Sequence, residues 1–244
     1  MDEFLLVLAL AAMPALGNSI GGALAEVITV SPRLLSLALH LAAGIVLAVV
    51  GVELMPQVLE ASHSWVIILA FLAGGGFAVG LDVLIGKLQM RVGGAGGNTG
   101  PWLIFSGVAV DLFSDGLLIG TGSTISLGLG LLLALGQVAA DLPEGFATIA
   151  SFKETVPSRR KRLLLAAAFI LPILLGATIG YWLVRGRPEL LKLGLLSFTA
   201  AILTATAVEE IIGEAHETAA DARWEELLFI AGFALFMALS LYLD

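Results

Sequence analysis

The chain is a succession of long apolar runs separated by short polar ones. A helix crossing a bilayer needs about 20 predominantly apolar residues. Runs of that kind occur eight times, over about 4–30, 35–58, 65–88, 102–122, 126–150, 163–184, 190–212 and 224–243. Short polar or helix-breaking groups mark the turns: Ser31-Pro32-Arg33, Glu60 to Ser64, Gly122-Ser123-Thr124 and a basic loop from Lys153 through Arg162. A glycine-rich linker, Gln89 to Gly100, separates the third and fourth runs. Breaks are expected inside the first run at Pro14, Gly17-Asn18-Ser19 and Gly21-Gly22, and inside the sixth at Pro172. The pattern predicts an all-α membrane protein with eight transmembrane helices in a single domain over 1–244.

Composition agrees. The 244 residues are 59% hydrophobic and 13% charged, against about 25% charged in soluble domains. Mean hydropathy is +1.02. The stretches between runs reach only about 10–15 residues, too short for a soluble domain. There are no cysteines, which excludes disulfides and thiolate metal sites. The acidic start, Met1-Asp2-Glu3-Phe4, lacks the basic region of a secretory leader, so the first run is expected to be a retained span.

Lys/Arg bias sets the expected orientation. Loops after the first, third, fifth and seventh spans hold 9 basic residues: Arg33, Lys87, Arg91, Lys153, Arg159, Arg160, Lys161, Arg162 and Arg223. The opposite side holds 3, Arg185, Arg187 and Lys192. The protein is therefore expected in the cell (inner) membrane, multi-pass, with both termini extracytoplasmic. The second and seventh spans also share a pattern. One ends Val52-Glu53-Leu54 and the other Val208-Glu209-Glu210, each placing Glu at the end of an apolar helix that then exits through polar sequence. With opposite directions for these spans, the pattern predicts an inverted repeat in a 3+2+3 arrangement, which points to a transporter with a midplane site.

The charge pattern changes the picture most between Val108 and Ser151. Asp111-Leu112-Phe113-Ser114-Asp115-Gly116 and Asp141-Leu142-Pro143-Glu144-Gly145 each place two carboxylates within one helical turn, then Gly, in otherwise apolar sequence. Asp111 and Asp115 are spaced i,i+4, and Asp141 and Glu144 i,i+3, so each pair shares a helix face. Gln137 lies one turn before Asp141. Pro143 frees the carbonyl of Ala139 and is expected to kink the helix. Gly116 and Gly145 are expected to let these two helices approach closely. Acids at such depth are costly and mark ion pathways. No Lys or Arg lies in these two spans, so either some acids are protonated or a cation sits among them. The residues read as metal ligands are Asp111, Asp115, Asp141, Glu144 and Gln137, with Glu53, Glu209 and Glu210 as further candidates for entry or release.

Other polar positions have plainer readings. Glu26 and Asp82 are expected to be neutralised by Arg33, Lys87 or Arg91. His40 is expected to pack against a neighbouring helix. Glu214, His216, Glu217 and Asp221 read as a solvated acidic loop that could also collect metal. Asn18 and Ser19 could line the pathway or serve helix packing.

With eight spans and these motifs, the chain resembles the ZRT/IRT-like protein (ZIP) family of divalent metal transporters. Asp111-x-x-x-Asp115-Gly116 looks like the family's His-Asn-x-x-[Asp/Glu]-Gly. Ala140-Asp141-x-Pro143-Glu144-Gly145 looks like its His-[Asp/Glu]-x-Pro-Glu-Gly. Leu37 to Gly44, Glu53-Leu54-Met55-Pro56 and Glu209 through His216 look like its second and seventh spans. The resemblance implies a homodimer, a binuclear metal site between the fourth and fifth spans, and an elevator motion of spans one, four, five and six. It also implies that Asp115 and Glu144 bridge two metals and that Asp141 serves the second site. The departures are Asp111 and Ala140 where histidines stand, Leu112 where an Asn stands, and no Glu near Ile173. Zinc favours nitrogen and sulfur donors alongside carboxylate. An all-oxygen site suits Mg²⁺, Mn²⁺ or Ca²⁺ better, and the lost ligands suggest one metal rather than two.

The function expected is transmembrane transport of divalent cations, zinc or another transition metal such as manganese or iron. The alternative is a membrane metal-binding or regulatory protein that does not transport. An intramembrane hydrolase could use paired acids, but no nucleophile constellation accompanies them, so no enzyme is expected. No cofactor is expected. The partners are divalent metal ions as substrate and the lipid bilayer, with no nucleic acid.

Overall fold

The computed structural model describes residues 2–28, 31–92, 100–211 and 222–243, and these are helical with no strand among them. Helix α1 is Asp2–Val27. Helix α2 runs Pro32–Ala48, through a π-helical turn Val49–Leu54, to Met55–Leu59. Helix α3 is Ser64–Val92, α4 is Gly100–Ser123 and α5 is Leu127–Thr155. Helix α6 comprises Arg159–Ala168 and Ile170–Val184. Helix α7 is Glu189–Ala205 followed by a π turn, Thr206–Ile211, and α8 is Ala222–Leu243. Seven of these carry a stretch long and apolar enough to cross a membrane. The eighth, α4, is 24 residues long and holds Asp111 at its middle and Asp115 one turn later.

Local chemistry sets several boundaries. Ser31 accepts from the Leu34 amide (3.3 Å) with Pro32 at the first helical position, which starts α2. Ser126 accepts from the Leu129 amide (3.0 Å) and starts α5. Pro172 cannot donate to the Ala168 carbonyl, and α6 breaks there at Phe169. Gly186 adopts φ +69° in the turn between α6 and α7, a conformation that favours glycine.

Two expectations need correction. Helix α1 is continuous through Pro14 and its glycines rather than broken. Its Gly17, Gly21 and Gly22 instead lie against Val138, Leu142 and Ile149 of α5, and the packing holds the helix through the proline. Helix α5 is also one helix through Pro143, which is compatible with the kink expected there. The basic loop is mostly helix, because α5 extends to Thr155 and α6 starts at Arg159. The linker residues 93–99 lie outside the described residues.

The helices pack in four close pairs: α1 with α5, α4 with α6, α2 with α8 and α3 with α7. Glycines set three of them reciprocally. A Cβ on Gly145 would meet the Asn18 carbonyl, and one on Gly21 the Leu142 carbonyl. The same exchange links Gly116 to the Ile173 carbonyl and Gly176 to that of Phe113. It recurs between Gly44 and Phe229, and between Gly232 and Leu41. Small residues at such contacts let membrane helices come within backbone distance. The apolar core runs through Leu39, Ile45 and Val49 of α2, Leu118 of α4, Leu133 of α5, and Leu196 and Leu203 of α7. By contrast only 11% of the α3 span and 17% of the α8 span is buried, so these two lie at the periphery.

The two π turns fall in matching places. In α2 and in α7 a 17-residue α-helix precedes a six-residue π segment. Counted this way, Glu53 is level with Glu210, one residue beyond the match that the Val-Glu pairs suggest.

Candidate metal centre

Helices α4 and α5 lie against each other and bring their acids together. One ligand oxygen from each of Asp111, Asp141 and Glu144 lies within 4.8 Å of the other two. Asp111 is 8% exposed and Asp141 is 1% exposed, while Glu144 is half-buried. Glu144 and, from the π turn of α7, Thr206 stand against the Asp111 carboxylate. Two carboxylates this close share a proton or a cation, because like charges at such range disfavour joint ionisation.

Asp115 lies outside this triad. It is fully buried, and its Oδ1 accepts from the Gln137 amide Nε2. Spacing of four residues puts it about 6 Å along the axis from Asp111. The site therefore has two levels: a carboxylate triad, and one turn away an Asp–Gln pair. Among the described residues, Asp111 Oδ1, Asp115 Oδ2, Asp141 Oδ2 and Gln137 Oε1 are buried without a hydrogen-bond partner. Buried polar atoms are ordinarily paired, so this concentration of orphaned oxygens at one place requires a chemical account. None of the three aspartates forms an ion pair with a described Lys or Arg.

The dimensions suit a cation. Two oxygens on one metal lie at most twice the metal–oxygen distance apart. That is about 4.2 Å for Mg²⁺ and about 4.6–5.2 Å for Ca²⁺. The triad at 4.8 Å already fits the larger ion and needs to contract by about half an ångström for the smaller. Among the described residues, no nitrogen or sulfur ligand joins it.

The expectation for Gly116 and Gly145 was wrong in its partners. Each glycine follows an acid directly, so it is turned about 100° from it around the helix. With the acids between α4 and α5, Gly116 faces α6 and Gly145 faces α1. Leu112, where the resemblance has Asn, is fully buried beside Phe169 and Ile173. Ala140 is buried in the main core.

Among the described residues, Glu53 and His40 are not part of the triad. Glu53 is buried and accepts from Ser240 of α8 at 3.0 Å. His40 Nδ1 meets the Ser36 carbonyl at 2.9 Å within α2, in keeping with a packing role. The expected partners of Glu26 are replaced by another: Arg162 meets both its carboxylate oxygens, at 2.5 and 2.8 Å. Arg159 is 3.7 Å away, and Lys153 donates to the neighbouring Ala25 carbonyl. Arg33 lost this role because the chain brings the start of α6, not α2, onto the end of α1. The side chains of Asp82, Glu209 and Glu210 lie outside the described residues, as do Glu214, His216, Glu217 and Asp221.

Two polar residues, Thr206 and Glu225, had not stood out in the sequence, whereas Asn18 had been read as lining the pathway or serving helix packing. Thr206 reaches the site only because the π turn of α7 carries it there, which no spacing rule anticipates. Glu225 is 4% exposed and accepts from Ser36 at 3.0 Å; its place at the start of an apolar run was the available sign. Asn18 is buried with its Nδ2 unpartnered and its carbonyl against Gly145. A scan of protein-family models matched none to this chain, and a search of curated proteins returned no match.

Proposed function

We propose that this protein carries divalent metal cations across the cell membrane, with Asp111, Asp141 and Glu144 as the central ligands. Both termini are extracytoplasmic in this reading. The observation that carries it is the convergence of three carboxylates from two adjacent helices, with orphaned oxygens, at mid-depth in an apolar chain. Ionisable residues held at such a cost ordinarily mark an ion pathway or a binding site. Asp115, held by Gln137, stands one turn outward of the triad as the next ligand on the path. The oxygen-only donor set favours manganese and other hard cations over zinc.

The packing supports a ZIP-like 3+2+3 arrangement. Mapping α1, α2, α3 and α4 onto α6, α7, α8 and α5 turns the α1–α5 pair into α6–α4, and α2–α8 into α7–α3. It turns Gly21 into Gly176, Gly145 into Gly116 and one π turn into the other. The ZIP resemblance divides the helices into α1, α4, α5, α6 and α2, α3, α7, α8, and none of the four close pairs crosses that division. The first group holds every proposed metal ligand and moves as the elevator against the second.

The test is metal flux into proteoliposomes over a panel of Mn²⁺, Fe²⁺, Zn²⁺, Cd²⁺, Mg²⁺ and Ca²⁺. Wild-type protein should carry at least one of them, and Glu144→Gln and Asp115→Ala should reduce flux to that of empty liposomes. The absence of histidine ligands favours one second reading, a binding protein without transport. Metal binding without flux by the wild type would establish it in place of the first.

A further inference from the structure

We propose that the groove between α3, α6 and α7 binds one anionic phospholipid of the surrounding bilayer. An acyl chain lies in the groove and the phosphate rests on Arg187. This site is separate from the metal centre and does not depend on transport.

The groove is a cavity of about 670 Å³ at the end of the helices where α6 turns into α7. That volume falls within the range of small-ligand pockets, about 300–1,000 Å³. Its walls are apolar: Val66 of α3, Leu183 of α6, and Leu190, Leu191, Leu195 and Phe198 of α7. Leu183 and Leu191 are each about half exposed, at 52% and 48%, so the groove opens sideways onto the hydrocarbon. That opening suits a two-chain lipid, which can leave its other chain in the bilayer.

Arg187 is the one charged residue lining the groove, and no acid joins it. It lies in the turn after α6, and its guanidinium has no ion pair or hydrogen bond with another described residue. The other two cations of this turn region are engaged. Arg185 stands 3.5 Å from Glu3 and over the Tyr181 and Trp182 rings. Lys192 donates to the Thr124 carbonyl at 2.8 Å. Trp65 and Trp182 are exposed at this same end of α3 and α6. Tryptophans of that kind sit at headgroup depth, which places Arg187 level with lipid phosphates. Guanidinium matches phosphate oxygens in a bidentate geometry. The charge on the rim and the apolar walls below it thus fit an anionic phospholipid.

Native mass spectrometry of the purified full chain tests this with added phosphatidylglycerol, phosphatidylcholine and oleate. Wild-type protein should retain one phosphatidylglycerol and prefer it to phosphatidylcholine by about tenfold, or about 1.4 kcal/mol. Arg187→Gln, a change at an exposed position, should abolish that preference. Gly194→Leu should block binding of either lipid, because a Cβ there meets nothing within 4 Å and the side chain can enter the groove. Equal binding of the two phospholipids by wild type would overturn the proposal. So would a preference unchanged in Arg187→Gln, or oleate displacing phosphatidylglycerol. If Gly194→Leu does not fold, the Arg187→Gln comparison decides alone.

Discussion

Replacing Asp141 with Asn tests the metal centre with two effects of opposite sign. The change keeps the side chain's size and one oxygen and removes only its charge. Asp141 is 1% exposed, and its Oδ2 has no partner among the described residues. Without metal, the aspartate is therefore a cost to the fold. Asn relieves it and can donate to a neighbouring carboxylate, so the metal-free variant is predicted to be more stable by about 1–3 kcal/mol, the scale of an unsatisfied buried group. With metal the sign reverses. Loss of an outer-shell partner alone weakens metal sites by about 10–100-fold, so loss of a ligand's charge should weaken binding by about 100-fold or more. At a metal concentration 100 times the wild-type Kd, linkage stabilises the wild type by about 2.7 kcal/mol and the variant by about 0.4. At about 2–4 °C per kcal/mol for a chain of this size, the metal-induced rise in Tm is about 5–11 °C against about 1–2 °C. Thermal melts of the purified protein with chelator and with Mn²⁺ measure both numbers. A variant that melts below the wild type in chelator, yet keeps its full shift with metal, would refute the reasoning.

Two further outcomes follow from packing. Arg162→Met or Glu26→Gln alone should cost about 1–3 kcal/mol, because each removes a charge-assisted hydrogen-bonded pair while Arg159 stays beside Glu26. The double substitution Glu26→Met with Arg162→Met should restore most of that loss, and thermal melts that place the double variant below both single ones would contradict this. Gly145→Ala should destabilise by about 1–3 kcal/mol, since its Cβ is driven into the Asn18 carbonyl. Gly75→Ala, where a Cβ meets nothing within 4 Å, should change stability by less than about 0.5 kcal/mol; equal Tm losses would discount the close contact.

Helix number and approximate ends were legible because a bilayer imposes one length and one polarity on every span. That Asp141 and Glu144 share a face was legible too, since i,i+3 spacing fixes it before any tertiary contact forms; that Asp111 rather than Asp115 meets them was not. What escaped was pairwise. Arg33 and Arg162 are equally basic, and only the fold decides that Arg162 reaches Glu26. Pro14 carries the local chemistry of a helix break, yet α1 continues. A neighbour seated along the whole helix outweighs one missing hydrogen bond. The π turns left no mark in composition, so the approach of Thr206 to Asp111 could not be foreseen.

The acid-then-glycine step joins these scales. In an α-helix, consecutive residues point about 100° apart. Asp115-Gly116 and Glu144-Gly145 therefore direct a carboxylate toward the α4–α5 contact and a bare backbone toward a different helix. Gly116 receives α6 and Gly145 receives α1, each answered by a glycine on the partner, Gly176 and Gly21. The glycine–carbonyl contacts bring the backbones of α4 and α6, and of α5 and α1, close enough that an added Cβ would not fit. The proposed metal ligands and the close helix contacts are thus adjacent in sequence, so a shift of the acids is expected to involve α1 and α6. The ligand-bearing helices and these two neighbours are expected to act as one mechanical unit. A substitution at either glycine should therefore disturb metal binding even though neither glycine touches the metal.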